Sequence, residues 1–255
     1  MRRTFWWPVL GLILSVTAGI AGLSVWHTTH QTPEADAAKA VIVTHRADPH
    51  THRQNLSVVH TGSTNANAPL LAVVGASFSA GTGPGNPDLA WPEELARMLR
   101  WRLAVSADPG AGYVSTGDGA RGPFARLAEE LDLGRIDPSV VIIQGGHDDI
   151  GQPLALIHSR VSDLISTVRR DDPRARIGVL TVFATGNTPT DAALAVDRTI
   201  VDAARAADPR VLVFDPLSQH WRFPRSPDHL HPTAEGDHWI ATQLAPALRA
   251  GEKPQ

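Results

Sequence analysis

The chain has 255 residues, of which 42% are apolar and 19% are charged, so it can bury one sizeable core and is expected to form a single globular domain. A formal charge of −3 excludes the extended basic surface that nucleic-acid binding requires. The chain contains no cysteine, which excludes disulfides, thiolate nucleophiles and cysteine-ligated metal sites.

The first 30 residues predict a membrane anchor. Arg2 and Arg3 precede an uncharged apolar stretch from Trp6 to Trp26, which is long enough to cross a bilayer at about 20 residues. Only the distant Ala35-Asp36-Ala37 resembles a cleavage site, so we expect an uncleaved anchor over residues 1–30, with secretion after cleavage as the alternative. The positive-inside rule then places the rest of the protein outside the cytoplasm, attached to the cell membrane.

Residues 31–67 predict a flexible linker, because they are rich in Thr, His, Ala, Asn and Pro. Six of the 12 histidines lie between His27 and His60, but their irregular spacing favours a solvated segment over a metal site. The globular domain is therefore expected over residues 68–250.

In this domain apolar runs alternate with amphipathic segments, which predicts alternating strands and helices. The predicted strands are Leu70–Val74, Leu103–Ser106, Val140–Ile143, Ile177–Phe183 and Val211–Phe214. The predicted helices are Trp91–Trp101, Gly122–Leu131, Pro153–Arg170, Thr190–Ala207 and Thr233–Arg249. Strands that read as continuous Val, Ile and Leu are buried on both faces, so the pattern predicts a three-layer α/β domain with a parallel sheet of five strands.

Ligands of such sheets bind at the carboxyl ends of the strands, and a serine follows the first strand there. In Gly75-Ala76-Ser77-Phe78-Ser79 a tight strand-to-helix turn would hold the Ser77 hydroxyl at the sheet edge, where a helix N-terminus favours developing negative charge. A phosphate loop is disfavoured, because neither Gly-Lys-Ser/Thr nor a dinucleotide glycine pattern is present. An ordinary Ser/Gly turn remains the alternative.

Polar and glycine-rich segments follow the next two strands. Gly110 would bring a bare backbone N–H to a substrate oxygen, as oxyanion stabilisation requires, although an ordinary turn would have the same sequence. The segment from Gln144 to Asp149 concentrates polar groups at the same edge. Before the last helix, Asp228 and His231 can reach Ser77 together: the carboxylate would fix the imidazole tautomer, and His231 would deprotonate the hydroxyl.

These four segments resemble, in order and approximate spacing, the four blocks of the SGNH/GDSL hydrolases. The matching segments are Gly75-Ala76-Ser77-Phe78-Ser79, Gly110, Gly146-His147-Asp148-Asp149 and Asp228-His229-Leu230-His231-Pro232. The resemblance covers roughly residues 69–249 and implies a flavodoxin-like α/β/α sandwich and a serine esterase, lipase or acylhydrolase with no cofactor or metal. It implies that Ser77 is the nucleophile and first oxyanion donor, that Gly110 is the second donor, and that Asp228 and His231 complete the triad.

The chain departs from the family pattern at two positions. Ala76 stands where the family has the Asp of Gly-Asp-Ser, and Asp148 stands where the third block has an oxyanion-binding Asn. An ionised Asp148 would repel the oxyanion, and losing one such donor costs ~2.7–4 kcal/mol of transition-state stabilisation. In an alternative register, Gly145-Gly146-His147-Asp148, the imidazole of His147 takes the donor position.

The sequence thus predicts an extracytoplasmic serine esterase that cleaves acyl, acetyl or short-chain esters, with acylated glycans or lipids of the cell envelope as candidate substrates. One alternative is a catalytically impaired module that binds acylated glycans or lipids, because of Asp148. Another is a metal-dependent hydrolase, for which the candidate ligands are His147, Asp148, Asp149, Asp228 and His231. We also expect Trp221 to contact substrate, Trp91 and Trp101 to lie in the core, and Asp237 and His238 to lie on the surface.

Overall fold

The computed structural model describes residues 63–186 and 188–250. The strands are β1 (Leu70–Gly75), β2 (Arg102–Ala107), β3 (Val140–Gln144), β4 (Arg176–Leu180) and β5 (Leu212–Phe214). The helices are α1 (Ser77–Ala80), α2 (Trp91–Leu99), α3 (Phe124–Leu131), α4 (Leu133–Ile136), α5 (Leu154–Asp171), α6 (Asp191–Ala207) and α7 (Ala234–Arg249), with a 3-10 turn at Pro87–Leu89.

The five strands form one parallel sheet in the order β2-β1-β3-β4-β5. In the register of the sheet, Val73 of β1 lies between Val105 of β2 and Ile142 of β3. The strand order reverses at β1, and in open parallel sheets a ligand crevice forms at the carboxyl ends of the strands beside such a reversal. Ser77 follows β1 and so lies where such a crevice is expected.

Helices cover both faces of the sheet, which makes three layers. Successive residues of a strand point to opposite faces. Leu70, Ala72 and Val74 accordingly pack into the core beneath α3, α5 and α6, whereas Leu71 and Val73 pack into the core beneath α2 and α7. The predicted three-layer α/β fold with a parallel five-stranded sheet is confirmed.

The five predicted strands and the five predicted helices are all present, with bounds that differ by a few residues. β4 ends at Leu180 instead of Phe183, so Val182 and Phe183 belong to the loop that follows the strand. The sequence analysis missed α1 and α4, which have only four residues each. Such short helices carry too little periodicity to be recognised from a sequence.

The structure corrects one prediction on the last helix. Asp237 was expected on the surface but is buried, and its Oδ1 accepts a hydrogen bond from the Trp91 backbone N–H at 3.0 Å. Burial raises the pKa of this carboxyl group to about 8. The predictions for Trp91 and Trp101, which lie in the core, and for the exposed His238 are confirmed.

The predicted anchor over residues 1–30, and the predicted linker up to residue 62, lie outside the described residues. Within the part of the chain that the structure describes, no helix has the length and apolar character needed to cross a bilayer.

Candidate active site

Asp228 and His231 form a hydrogen-bonded pair in the loop between β5 and α7. Asp228 Oδ2 lies 2.7 Å from His231 Nδ1, and Oδ1 accepts the backbone N–H groups of Leu230 and His231 at 2.9 and 3.0 Å. The hydrogen bond to His231, followed by that from Leu230, lowers the pKa of Asp228 to about 2. An ionised Asp228 holds the proton of the neutral imidazole on Nδ1, which leaves Nε2 as the basic nitrogen.

Neighbouring backbone groups hold this loop in place. The Ser226 N–H donates to His231 O at 2.8 Å, and Ser226 Oγ contacts the carbonyl oxygens of Gly83 and Pro232 at 3.1 and 3.2 Å. Thr233 caps α7 by accepting the Gly236 N–H at 3.2 Å. His231 is therefore positioned by a turn fixed at both ends.

The basic nitrogen of His231 lies beside the turn that carries Ser77. His231 Nε2 is buried and has no hydrogen-bond partner among the described residues. The imidazole lies 5.3 Å, centroid to centroid, from the ring of Phe78, which directly follows Ser77. The structure thus brings base and hydroxyl into one region without a Ser77–His231 hydrogen bond, a bond that is often long or absent before substrate binds.

The two backbone N–H groups that the sequence predicted as oxyanion donors, those of Ser77 and Gly110, have no acceptor among the described residues. Ser77 is the first residue of α1, and the first N–H groups of a helix have no intrahelical acceptor. Gly110 has a φ of 77°, and a Cβ there would lie 2.9 Å from Asp118 Oδ1, so only glycine fits this turn without strain. Among the described residues no acceptor is bonded to the Gly110 N–H.

The loop after β3 separates the roles of its two aspartates. Asp149 is buried, and its carboxylate accepts the backbone N–H groups of Tyr113, Val114 and Ser115 at 2.8–3.0 Å. Asp149 therefore anchors the loop that follows Gly110. Asp148 is half-buried and interacts electrostatically with His231.

The electrostatic surroundings of Asp148 disfavour its ionised form. Burial raises its pKa to about 6, with further contributions from Asp149 and Asp118, whereas His231 opposes the shift. His147 also lies near this group: burial and the proximity of His231 lower its pKa, and its Nδ1 is buried without a partner among the described residues. Both candidates for the third oxyanion position therefore lie near His231.

Gln144 is a site residue to which the sequence analysis gave no role. It is buried at the end of β3, and its Oε1 accepts the Ser79 hydroxyl at 2.7 Å and the Ala76 N–H at 3.4 Å. A polar residue that ends an otherwise apolar strand, Val140–Ile143, was the available signal.

Trp221 lies in the loop before the Asp228–His231 pair, and its side chain is largely buried. Its indole is only 6% exposed, Nε1 donates to Gln219 Oε1 at 2.8 Å, and the ring packs against Phe183 and Trp239. Contact between Trp221 and substrate stays a prediction. Aromatic residues dominate hydrophobic packing because they bury the largest areas, and this loop uses Trp221 in that way.

The structure does not support the metal-dependent alternative. Within residues 63–186 and 188–250, no three histidine, aspartate or glutamate side chains are grouped so that they could hold a metal ion. Asp149 in particular is bonded to three backbone N–H groups.

A cavity of about 380 Å³ lies elsewhere, lined by residues that include Pro69, Ser139 and Arg176. These residues stand at the amino ends of β1, β3 and β4, whereas Ser77, Gly110 and Asp148 follow the carboxyl ends of strands. We place the candidate active site at the carboxyl edge, because the acid–base pair and the free N–H groups lie there.

This fold and this arrangement define a class of enzyme, the carboxylic ester hydrolases. Residues 73–239, more than half of the chain, match the GDSL-like lipase/acylhydrolase family. The chain belongs to that family, which confirms the resemblance found in the sequence. A comparison with curated protein sequences returns no match.

Solved structures share the fold at low sequence identity. A carbohydrate esterase family 2 enzyme with a carbohydrate binding domain, from Corynascus thermopiles (Myceliophthora fergusii), is 18% identical, with a TM-score of 0.59 over 71% of this chain and 66% of its own. A family two carbohydrate esterase from Clostridium thermocellum is 20% identical, with a TM-score of 0.57 over 72% and 64%. The acetyl xylan esterase Est2A from Butyrivibrio proteoclasticus is 17% identical, with a TM-score of 0.54 over 71% and 64%. The match spans about two thirds of the length of these proteins.

Proposed function

We propose that this protein is a serine esterase in which Ser77, His231 and Asp228 cleave a carboxylic ester through an acyl-enzyme. The observation that carries the proposal is the Asp228–His231 pair, joined at 2.7 Å, whose free Nε2 is buried beside the turn of Ser77. A histidine oriented by a carboxylate and lacking any other partner on Nε2 is suited to accept a hydroxyl proton.

Acylation begins when Ser77 Oγ attacks the ester carbonyl carbon while His231 Nε2 takes the hydroxyl proton. The carbonyl π electrons move to the oxygen, which accepts hydrogen bonds from the N–H groups of Ser77 and Gly110. When this intermediate collapses, the bond between carbon and alcohol oxygen breaks. The imidazolium returns its proton to the leaving alcohol, and the acyl group remains on Ser77.

Deacylation repeats these steps with water as the nucleophile. His231 Nε2 removes a proton from a water molecule, whose oxygen attacks the acyl carbon. Collapse of the second intermediate breaks the bond to Ser77 Oγ, which regains a proton from the imidazolium. The carboxylic acid leaves and the free enzyme is restored, so no cofactor enters the reaction.

The third oxyanion position is assigned to Asp148 in its protonated form. A protonated carboxyl group is a hydrogen-bond donor, whereas a carboxylate is only an acceptor. The half-buried setting of Asp148 beside Asp149 and Asp118 supports this assignment, because it raises the pKa of the carboxyl group to about 6, so that the protonated form is populated at mildly acidic pH. His147, whose lowered pKa keeps it neutral, is the alternative donor.

We propose that the substrate carries an acetyl or short acyl group on a glycan or lipid of the cell envelope. Phe78, next to Ser77, stacks on Phe183 at 4.4 Å with an interplanar angle of 7°, and Phe223 packs edge-on against Phe183. Because Phe78 adjoins Ser77 and is buried among these rings, we infer that the acyl group bound beside it is short. The similarity in fold to an acetyl xylan esterase supports the same choice.

A second candidate function is a catalytically impaired module that binds acylated glycans or lipids. Asp148 favours it, because a carboxylate at the oxyanion position would oppose the transition state. Turnover by the wild-type protein separates the two candidates: an active enzyme excludes the impaired module.

The test is hydrolysis of 4-nitrophenyl acetate, butyrate and octanoate by the wild-type protein and by Ser77→Ala. We expect turnover that falls along this series, and a loss of at least about a thousandfold in Ser77→Ala, because removal of a triad member leaves only the oxyanion hole and binding. Undiminished turnover in Ser77→Ala would rule out the proposed mechanism.

A further inference from the structure

Gln144 links β3 to the turn that carries Ser77. It is the last residue of β3 and lies opposite Gly75, the last residue of β1, in the register of the sheet. Its Oε1 accepts the Ser79 hydroxyl at 2.7 Å and, more weakly, the Ala76 N–H at 3.4 Å. Gln144 and Ser79 are only 2% and 3% exposed, so water competes little for this contact.

The turn depends on such a contact because α1 is too short to be stable by itself. It has four residues, and helix formation has a costly nucleus that only longer helices overcome. Ala76, at the N-cap, makes no side-chain hydrogen bond to the first turn. Contacts with the rest of the fold must therefore set the position of α1.

Gly75, which precedes the turn, leaves room for the hydrogen bond between Ser79 and Gln144. A Cβ at Gly75 would come within 2.2 Å of Ser79 Oγ and 3.2 Å of Gln144 Oε1. The backbone of β1 thus approaches both partners closely, and the hydrogen bond occupies the space that a side chain at residue 75 would fill. Gly75 at the end of β1, Gln144 at the end of β3 and Ser79 in α1 therefore form one packed unit.

We infer that Gln144 is a positioning residue for Ser77, which it holds in place by accepting hydrogen bonds from Ala76, one residue before the nucleophile, and from Ser79, two residues after it. The inference rests on the proposed function, since Ser77 must be the nucleophile. Both the hydroxyl of Ser77 and its oxyanion-binding N–H move with α1. A displacement of this turn would therefore lower the rate of acylation more than it would weaken substrate binding.

The experiment compares Gln144→Leu, which removes the acceptor, with Ser79→Ala, which removes the donor. We expect kcat for 4-nitrophenyl acetate to fall by about tenfold or more in each, with KM within about twofold, because small misplacements of reacting groups carry large rate costs. Labelling by a fluorophosphonate should slow by a similar factor. The double variant should lose no more than Gln144→Leu alone, because the hydrogen bond that Ser79→Ala removes is already absent in Gln144→Leu.

Two further variants serve as controls. Gln144→Glu keeps an acceptor oxygen for Ser79 and should recover part of the rate lost in Gln144→Leu. Ser106→Ala removes another buried serine hydroxyl, bonded to Glu130 Oε2 at 2.9 Å at the end of β2, and should leave kcat unchanged. Thermal unfolding of every variant verifies that the assayed protein is folded.

A wild-type kcat in folded Ser79→Ala would overturn the inference, and so would additive losses in the double variant. If Gln144→Leu fails to fold, the test is made by comparing kcat of Ser79→Ala and Gln144→Glu with that of the wild type. Failure of the proposed function is distinct, because the wild-type protein would then resist the fluorophosphonate or Ser77→Ala would still react with it.

Discussion

Asp148 is the residue on which catalysis at this site depends most sharply. The two groups of the site need opposite protonation states. His231 must be neutral to accept a proton, whereas the carboxyl group of Asp148 must be protonated to donate a hydrogen bond. Burial, Asp149 and Asp118 raise its pKa to about 6, while His231 opposes the shift and His147 lies close by. The protonated form is therefore populated below a pH of about 6 and is lost as the pH rises through that value.

The first prediction is that Asp148→Asn abolishes the fall in activity that deprotonation of Asp148 causes in the wild type. In the wild type, kcat/KM should fall as the pH rises through about 6, because the carboxylate then repels the oxyanion. An asparagine amide donates at every pH, so the variant should keep its rate and exceed the wild type roughly a hundredfold at mildly alkaline pH. The measurement is the pH profile of kcat/KM for an aryl acetate.

His147→Leu is the matched control for this prediction. If Asp148 is the third donor, His147→Leu should keep the wild-type pH profile. An unchanged profile in Asp148→Asn, together with a large loss in His147→Leu, would assign the donor to the imidazole instead.

At the scale of loops and helices, the catalytic pair depends on close packing between two segments distant in sequence. The loop after α1 meets the loop of His231 at Gly83, where a Cβ would come within 1.9 Å of Pro232 O and 3.0 Å of His231 Cβ. Ser226 bonds to Gly83 O from the other side. Position 83 therefore sets the distance between the segment of Ser77 and the segment of His231.

The second prediction is that Gly83→Ala lowers kcat about tenfold or more, because the added methyl group must displace the backbone beside His231. Steady-state kinetics with an aryl acetate would measure this. Gly186→Ala is the control, since no atom of the described residues beyond the chain neighbours lies within 4 Å of a Cβ at that position, and its kcat should stay near that of the wild type. Equal activities in the two variants would show that the contact at Gly83 does not position His231.

The elements that could be predicted from the sequence are those whose burial requires a long run of apolar residues or a long amphipathic repeat. β3 is apolar from Val140 to Ile143 because both faces of the sheet are covered, and the amphipathic α5 and α6 lie on one of those faces. α1 has no such pattern: it has only four residues, and Ser79 in it and Ala76 before it donate hydrogen bonds to Gln144, a distant residue. Asp237 was wrongly predicted to lie on the surface for a similar reason. The group that compensates its burial, the Trp91 N–H, is 146 positions away in the sequence.

For the molecule as a whole, the order of the polar segments along the chain was enough to predict the family. The distances between their side chains could be known only from the structure. Asp228 and His231 are close in sequence, so their pairing followed from their spacing. The different roles of Asp148 and Asp149 could not be predicted from their spacing. The structural role of Asp149 is visible only in the hydrogen bonds that it accepts from the loop after β2.

We propose that the protein acts outside the cytoplasm, on the basis of the predicted anchor over residues 1–30. The third prediction is that the full chain, expressed in bacterial cells, sediments with membranes and resists extraction by salt, whereas a chain that begins at residue 63 does not. A full chain found entirely in the soluble cytoplasmic fraction would contradict this location.

The most direct test of the central claim is to identify the residue that a fluorophosphonate modifies. The protein is treated with the reagent, digested and analysed by mass spectrometry, with His231→Ala as a second sample. The account predicts a single adduct on Ser77 in the wild type, and a strongly slowed reaction in His231→Ala because the base is missing. An adduct on another residue, or wild-type reactivity in His231→Ala, would contradict it.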